Sequence, residues 1–184
     1  MKKSTPEKIV LLFIRPEHSA QREKTNGVYS AAIRRGWTIL PVEQFATTAK
    51  IRELTRLWNP IGCIVDMSAM QERLAKVAGL PIILMIHTPL YEPAFYKDAM
   101  ERFSDSAYLV GVPDELRANY ASDGLRDYQA ADAITRETID YIAGEPLVKV
   151  ILTGHMHYDY DSVFADRIPQ LCTDCGTLRV VEFT

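Results

Sequence analysis

Cysteine is scarce, with three in 184 residues: Cys63, Cys172 and Cys175. A small, odd number argues against a disulfide framework and for a reducing compartment, so a cytoplasmic location is expected. Long apolar runs are missing too. Stretches such as Ile9 to Ile14 and Ile82 to Ile86 fall far short of the roughly 20 residues of a membrane-spanning helix, so no membrane partner is expected. The opening residues Met1 to Lys8 are basic, but the apolar stretch after them ends at Arg15 without a small-residue cleavage site, which speaks against a secretory signal. No Gly-x-Gly-x-x-Gly or Gly-x-x-x-x-Gly-Lys occurs, so loops that cradle nucleotide phosphates have no support. No Gly-x-Ser-x-Gly elbow occurs either, and serine-hydrolase chemistry is likewise unsupported.

What is present is a globular balance: 47% hydrophobic and 24% charged residues, with a net charge of −3. That charge is unevenly spread. Residues 1–89 hold thirteen Lys and Arg against seven Asp and Glu, whereas residues 90–184 hold eight against seventeen. The basic residues are scattered along periodic segments rather than clustered, so no nucleic-acid partner is expected.

The first half alternates strictly between strand and helix patterns. Ile9 to Ile14 is continuously apolar, as a parallel strand covered on both faces requires. A helical stretch from about Gln21 to Arg35 is closed by Gly36, and Trp37 to Val42 reads as a second strand. Thr47 or Thr48 caps a helix carrying Ile51, Leu54 and Leu57, stopped by Asn59-Pro60. Ile61 to Val65 is a third strand. Ser68 with Gln71 fits a capping box for a helix running through Leu74 and Val77 to Gly79. Leu80 to Ile86 is a fourth strand. The expected class is α/β, a parallel sheet with alternating helices.

The residues of this half carry a resemblance. Lys8-Ile9-Val10-Leu11-Leu12-Phe13, Asn26-Gly27-Val28-Tyr29, Gly36-Trp37, Trp58-Asn59-Pro60-Ile61-Gly62-Cys63-Ile64-Val65-Asp66 and Gly79-Leu80-Pro81-Ile82 resemble, in that order, the start of a periplasmic-binding-protein-like sensor domain. The similarity is to the lactose-repressor family and its xylose-regulator type. It implies a sensor lobe over residues 1–86 and a sugar ligand at its strand ends. No helix-turn-helix lies in the sequence before this lobe, and no second sensor lobe follows it.

After Pro89 the pattern changes. Pro93 to Phe103, Pro113 to Tyr120 and Asp132 to Ala143 read as helices, the last carrying Ile134, Ile139 and Ile142. Val148 to Leu152 is a buried strand that runs directly into Gly154-His155-Met156-His157. Ile168 to Cys172 and Leu178 to Phe183 read as two further strands. Two histidines at i and i+2 after a strand sit at a sheet's carboxyl edge, where open α/β folds bind ligands. Neutral imidazole is a common ligand of zinc, manganese and iron, and Gly154 allows the sharp turn that faces both rings to one cavity. His87 ends another strand, whereas His18 lies in a polar connection and is read as incidental. Cys172-Thr173-Asp174-Cys175 has redox-pair spacing but lies between two strands rather than opening a helix. Tyr91, Tyr96, Tyr108, Tyr158 and Tyr160 gather near the histidines and are read first as half-buried packing.

Gly154-His155-x-His157 after a strand, with His87-Thr88-Pro89-Leu90-Tyr91 after an earlier one, resembles the closing part of a calcineurin-like metallophosphoesterase over about residues 82–184. Ile168-Pro169-Gln170-Leu171 fits the same family. The resemblance implies, for residues 87–184, the terminal α/β part of a metallophosphoesterase sandwich and a hydrolase acting on a phosphate-ester small molecule. It also implies a divalent metal cofactor (manganese, iron or zinc) with His87, His155 and His157 as ligands. It assigns no catalytic residue.

Members of that family use two adjacent metals to activate a water and clamp a phosphoryl oxygen. They draw further ligands from Asp-x-His, Gly-Asp and Asn-His-Glu or Asn-His-Asp motifs, none of which occurs in residues 1–81. Three neutral imidazoles do not offset the charge of two divalent ions. The expected site is therefore incomplete, holding one ion or none, with weak or no hydrolysis. Asp159 or Asp161 could supply a carboxylate, although that acidic run reads first as a solvated face. The two resemblances meet between Leu80 and Thr88, so the chain reads as a chimera of a sensor-like lobe and a phosphoesterase-like tail.

Overall fold

In the computed structural model, which describes residues 7–14, 19–43, 46–66, 76–120 and 122–174, the first apolar run forms strand β1 (Lys8–Phe13). Every residue from Ile9 to Phe13 is buried. Side chains alternate across a strand, so this pattern requires cover on both faces. The chain divides into two compact units, Met1–Met85 and Ile86–Thr184.

In the first unit, α1 (Ser19–Arg35) leads to β2 (Trp37–Pro41), α2 (Thr48–Trp58) to β3 (Gly62–Asp66), and the chain then reaches β4 (Ile82–Met85). Pairing runs β2-β1-β3-β4, with all three pairs parallel. This is the α/β class, with the parallel sheet and alternating helices expected of the first half. Val10, Leu12, Ile14 and Ile64 pack on one face with Val28, Trp37, Ile39, Ile83 and Met85. Leu11, Phe13 and Val65, of opposite parity, are fully buried, each contributing roughly 1.5–3 kcal/mol by leaving water. Because β2 lies to one side of β1 and β3 to the other, the connection reverses between β1 and β3, the switch point where open sheets leave a crevice.

Local signals set the helix ends. Thr47 accepts a hydrogen bond from the Lys50 amide at 3.2 Å and caps α2, while Asn59 ends it in the left-handed region at φ 44°. One expectation needs correcting: Ile51 is buried, but Leu57 is 55% exposed. Six residues on from Ile51, Leu57 lies about 120° round the helix, off the face that Ile51 buries. Most of the helix expected to open at Ser68 and Gln71 lies outside the described residues; Lys76 and Val77 are helical, followed by Gly79 at φ 65°.

The second unit carries α3 (Pro93–Phe103), a 3₁₀ turn (Ser104–Ser106), α4 (Asp114–Arg117), α5 (Asp123–Gln129), α6 (Ala133–Gly144), β5 (Val148–Thr153), β6 (Tyr160–Phe164) and β7 (Ile168–Cys172). Strand β7 pairs in parallel with β5 and in a hairpin with β6. Neither α5 nor β6 was expected from the sequence, and the strand expected at Leu178 to Phe183 lies outside the described residues. Glu92 caps α3 by accepting from the amides of Ala94 at 2.9 Å and Phe95 at 2.8 Å. Phe95, Tyr96, Ala99, Ala107, Leu109, Val112, Tyr120, Met156 and Cys172 form the core. Within it the Tyr120 hydroxyl donates to the Ala107 carbonyl at 2.7 Å. Among the described residues no helix is long and apolar enough to cross a membrane.

Candidate functional site

The second unit brings two of the sequence-identified histidines together. Strand β5 ends at Thr153, and the Gly154 amide donates to the His87 carbonyl at 3.1 Å, so the main chain itself ties the two histidine-bearing segments. The rings then meet: His155 Nδ1 lies 2.9 Å from His87 Nε2, with ring centroids 4.7 Å apart and planes at 76°. One of these nitrogens carries the shared proton and the other accepts it.

The turn that presents His155 is strained. The Met156 amide donates to the Gly154 carbonyl at 2.7 Å, and His155, between them, has φ 66°. This is a γ-turn of the rarer positive-φ kind, uncommon for any side chain larger than glycine. His157 also occupies the left-handed region, at φ 55°. Such conformations cost on the order of 1–3 kcal/mol each and persist where surrounding contacts over-determine them.

Those contacts can be named. The Cys172 thiol donates to the Gly154 carbonyl at 3.3 Å, and the Tyr108 amide donates to Met156 Sδ at 3.2 Å. The Tyr108 ring stands edge-on to His155, with centroids 4.9 Å apart. Burial, followed by the charges that His87 and His157 would carry, holds the His155 imidazole below its ordinary value. The neutral ring, with one lone pair available, is thereby favoured near neutral pH.

Of the other sequence candidates, His157 is exposed and contributes to the depression at His155. Asp159 accepts from the Asp174 amide at 3.0 Å, while Asp161 is exposed on β6, the outer strand of the hairpin. Among the described residues no three His, Cys, Asp or Glu side chains are gathered closely enough to hold a metal ion together. His18 and Cys175 lie outside the described residues. Compared with family models, curated proteins and solved structures, the chain has no match.

The donor atoms themselves test what the site can hold. Two nitrogens bound at about 2.0–2.1 Å to one ion stand ~2.9 Å apart at a right angle and ~3.3 Å apart at the tetrahedral angle. The observed 2.9 Å suits two ligands of a single ion once the shared proton leaves. Among the described residues no carboxylate stands with the pair to bridge the charges of a second ion.

Sequence reasoning missed the residues behind the histidines. Gln129 and Gln170 are completely buried, and each bonds to the main chain of a segment that lines the site. The only signal was their placement among apolar neighbours, because buried amides leave no hydrophobic periodicity. In the sequence Tyr108 is indistinguishable from four other tyrosines near the histidines. It is the one whose ring meets His155, whereas Tyr158 and Tyr160 pack on Phe95 and Tyr91 on Tyr96.

Proposed function

We propose that this is a metallophosphoesterase-related protein whose second unit takes up one divalent ion of the zinc, manganese or iron class. His87 and His155 bind it as a pair, and the exposed His157, two residues on from His155, would have to swing in to join them. Its hydrolysis of phosphate-ester small molecules is weak or absent. The observation that carries the reading is the 2.9 Å meeting of two imidazole nitrogens from residues 68 apart in the chain. Bound there, an ion would act as a Lewis acid and lower the pKa of a coordinated water. The chain's own contribution is to hold neutral nitrogens in place and keep one side of the pair covered by Tyr108. Among the described residues no carboxylate stands with the pair to bridge a second ion, and the sequence has no Asn-His pair to steady a developing phosphoryl charge, which limits the rate.

The test is a titration of the full chain with Zn²⁺ and Mn²⁺ beside a metal-supplemented phosphodiester assay, on wild type, His155→Ala and His157→Ala. Saturable 1:1 binding that His155→Ala abolishes, with little turnover, is expected. Absence of binding in the wild type overturns the metal reading. Robust turnover lost in both variants overturns the ascribed weakness.

A second reading, sugar binding by the first unit as in a sensor lobe, draws on one ion pair. Asp66, almost fully buried, closes β3 at the β1/β3 switch point and meets Lys24 Nζ at 3.3 Å. A carboxylate at the carboxyl end of a strand beside such a crevice is a candidate for ligand contact. Both tryptophans, Trp37 and Trp58, belong to this unit, so their fluorescence reports a monosaccharide titration. A saturable change absent from Asp66→Asn supports this reading, and no change across a panel of pentoses and hexoses overturns it.

A further inference from the structure

Two completely buried glutamines, Gln129 and Gln170, do the same thing on two segments. The Gln170 amide accepts from the Leu90 amide at 2.8 Å and donates to the Leu90 carbonyl at 3.0 Å. The Gln129 amide accepts from the Leu109 amide at 2.8 Å and donates to the Ala107 carbonyl at 3.2 Å. Each side chain thus acts as a neighbouring strand would, fixing both the position and the rotation of a peptide.

The two clamped segments are bonded to each other as well. The Tyr91 amide donates to the Val110 carbonyl and the Val110 amide to the Pro89 carbonyl, both at 2.8 Å. One segment begins three residues after His87. The other contains Tyr108, whose ring abuts His155 and whose amide holds the residue after His155.

We propose that Gln170 and Gln129 are positioning residues of the histidine site, Gln170 acting through the His87 segment and Gln129 through Tyr108. A buried amide must recover its desolvation cost through its hydrogen bonds, whereas an apolar side chain of similar size packs without that cost. Gln170 Nε2 also donates to Ser162 Oγ at 3.1 Å, but both amides spend an acceptor and a donor on the main chain of the site's segments, which fits a demand for place rather than for burial. The metal-binding part of the test rests on the reading proposed above; the positioning itself does not.

The experiment therefore has a metal-free arm and a metal arm. In metal-free protein, the ¹⁵N shifts of the His87 and His155 ring nitrogens report the tautomers and the bond between them. In Gln170→Met these shifts move toward those of unpaired imidazoles, and Gln170→Glu, which retains an acceptor for the Leu90 amide, recovers part of the change. In the metal arm, Gln170→Met weakens Zn²⁺ binding 10- to 100-fold, the usual effect of losing an outer support, and alters the visible spectrum of the Co²⁺-loaded protein. Gln129→Met, acting on a ring that is not a ligand, weakens binding only several-fold.

Arg167→Ala serves as the control for general destabilisation and leaves both readouts at wild-type values. Wild-type ring shifts in a folded Gln170→Met overturn the proposal. If Gln170→Met does not fold, Gln170→Leu, which also removes both bonds to Leu90, takes its place, and the Gln129→Met ring shifts are read beside it; wild-type shifts in either folded variant overturn the proposal. Ring-shift changes in Gln170→Met beside a wild type that binds no metal overturn the metal reading while supporting the positioning role.

Discussion

Removing the Arg167 guanidinium should loosen the end of α6 by an amount its bonds allow us to work out. From the turn between β6 and β7, Arg167 donates to four carbonyls. Nη2 reaches Glu145 at 2.7 Å, Ala143 at 2.9 Å and Ile142 at 3.2 Å, Nε reaches Ala143 at 3.1 Å, and Nη1 reaches Val148 at 3.3 Å. Helix α6 has no basic residue in its own last turn, so this side chain, far along the sequence, supplies the positive charge that the helix C-terminus favours. A charge-assisted hydrogen bond contributes ~1.5–3 kcal/mol, and a cation at a helix C-terminus ~0.3–1 kcal/mol. Arg167 is exposed, so water re-solvates part of what is lost, and the bonds of one fork do not add. The expected cost of Arg167→Ala is about 2–3 kcal/mol. With a urea slope of roughly 2 kcal/mol/M, the midpoint falls by ~1–1.5 M. Arg167→Lys keeps the charge but not the fork and should recover about 1 kcal/mol at most. Urea unfolding followed by far-ultraviolet circular dichroism gives the midpoints, and hydrogen exchange over residues 133–147 locates the loss. A cost below ~0.5 kcal/mol, or a lysine variant as stable as wild type, would refute the reasoning.

Two further outcomes follow from the titratable groups. His155 sits below the ordinary imidazole value of 6.5 in the folded chain, chiefly through burial. The unfolded chain therefore binds the proton first, and the stability this provides is complete above pH 6.5 and is lost as the pH falls below it. Denaturation midpoints should drop between pH 7 and pH 5 more steeply in wild type than in His155→Asn, and superimposable profiles count against it. Burial pushes the Cys63 thiol up to about 12, which leaves almost no thiolate at neutral pH. Peptide-mapped iodoacetamide labelling should find Cys63 unmodified in the native protein and modified in urea; labelling at equal rates in both would be the contrary result.

The sequence was most informative where apolar residues do the structural work. The strands and helix ends of the first half are legible because Ile9 to Ile14 needs cover on both faces, and because Thr47, Asn59 and Gly36 carry their own backbone chemistry. The second half is read less well for a physical reason. Helix α5 is only seven residues long, carries Gly124 and buries the polar Gln129, so it offers little helical periodicity to detect. Strand β6 does alternate, with Phe164 buried and Asp161 and Val163 exposed, but Asp159 and Asp161 read first as a solvated face and mask the strand. Of the site, the histidines announced themselves by residue type and by following a strand. Tyr108 and the two glutamines matter through bonds to main chain up to 80 residues away, which no local pattern encodes.

The positive φ angles of His155 and His157 also set how this protein would change under artificial selection. Glycine occupies that region without penalty and asparagine nearly so. A library selected only for resistance to heat should therefore replace these two positions early, since each replacement releases stored backbone strain. The survivors would be sturdier, and the paired rings would be gone. Any campaign to stabilise this chain would need a second selection that counts imidazoles, or it would remove the site first.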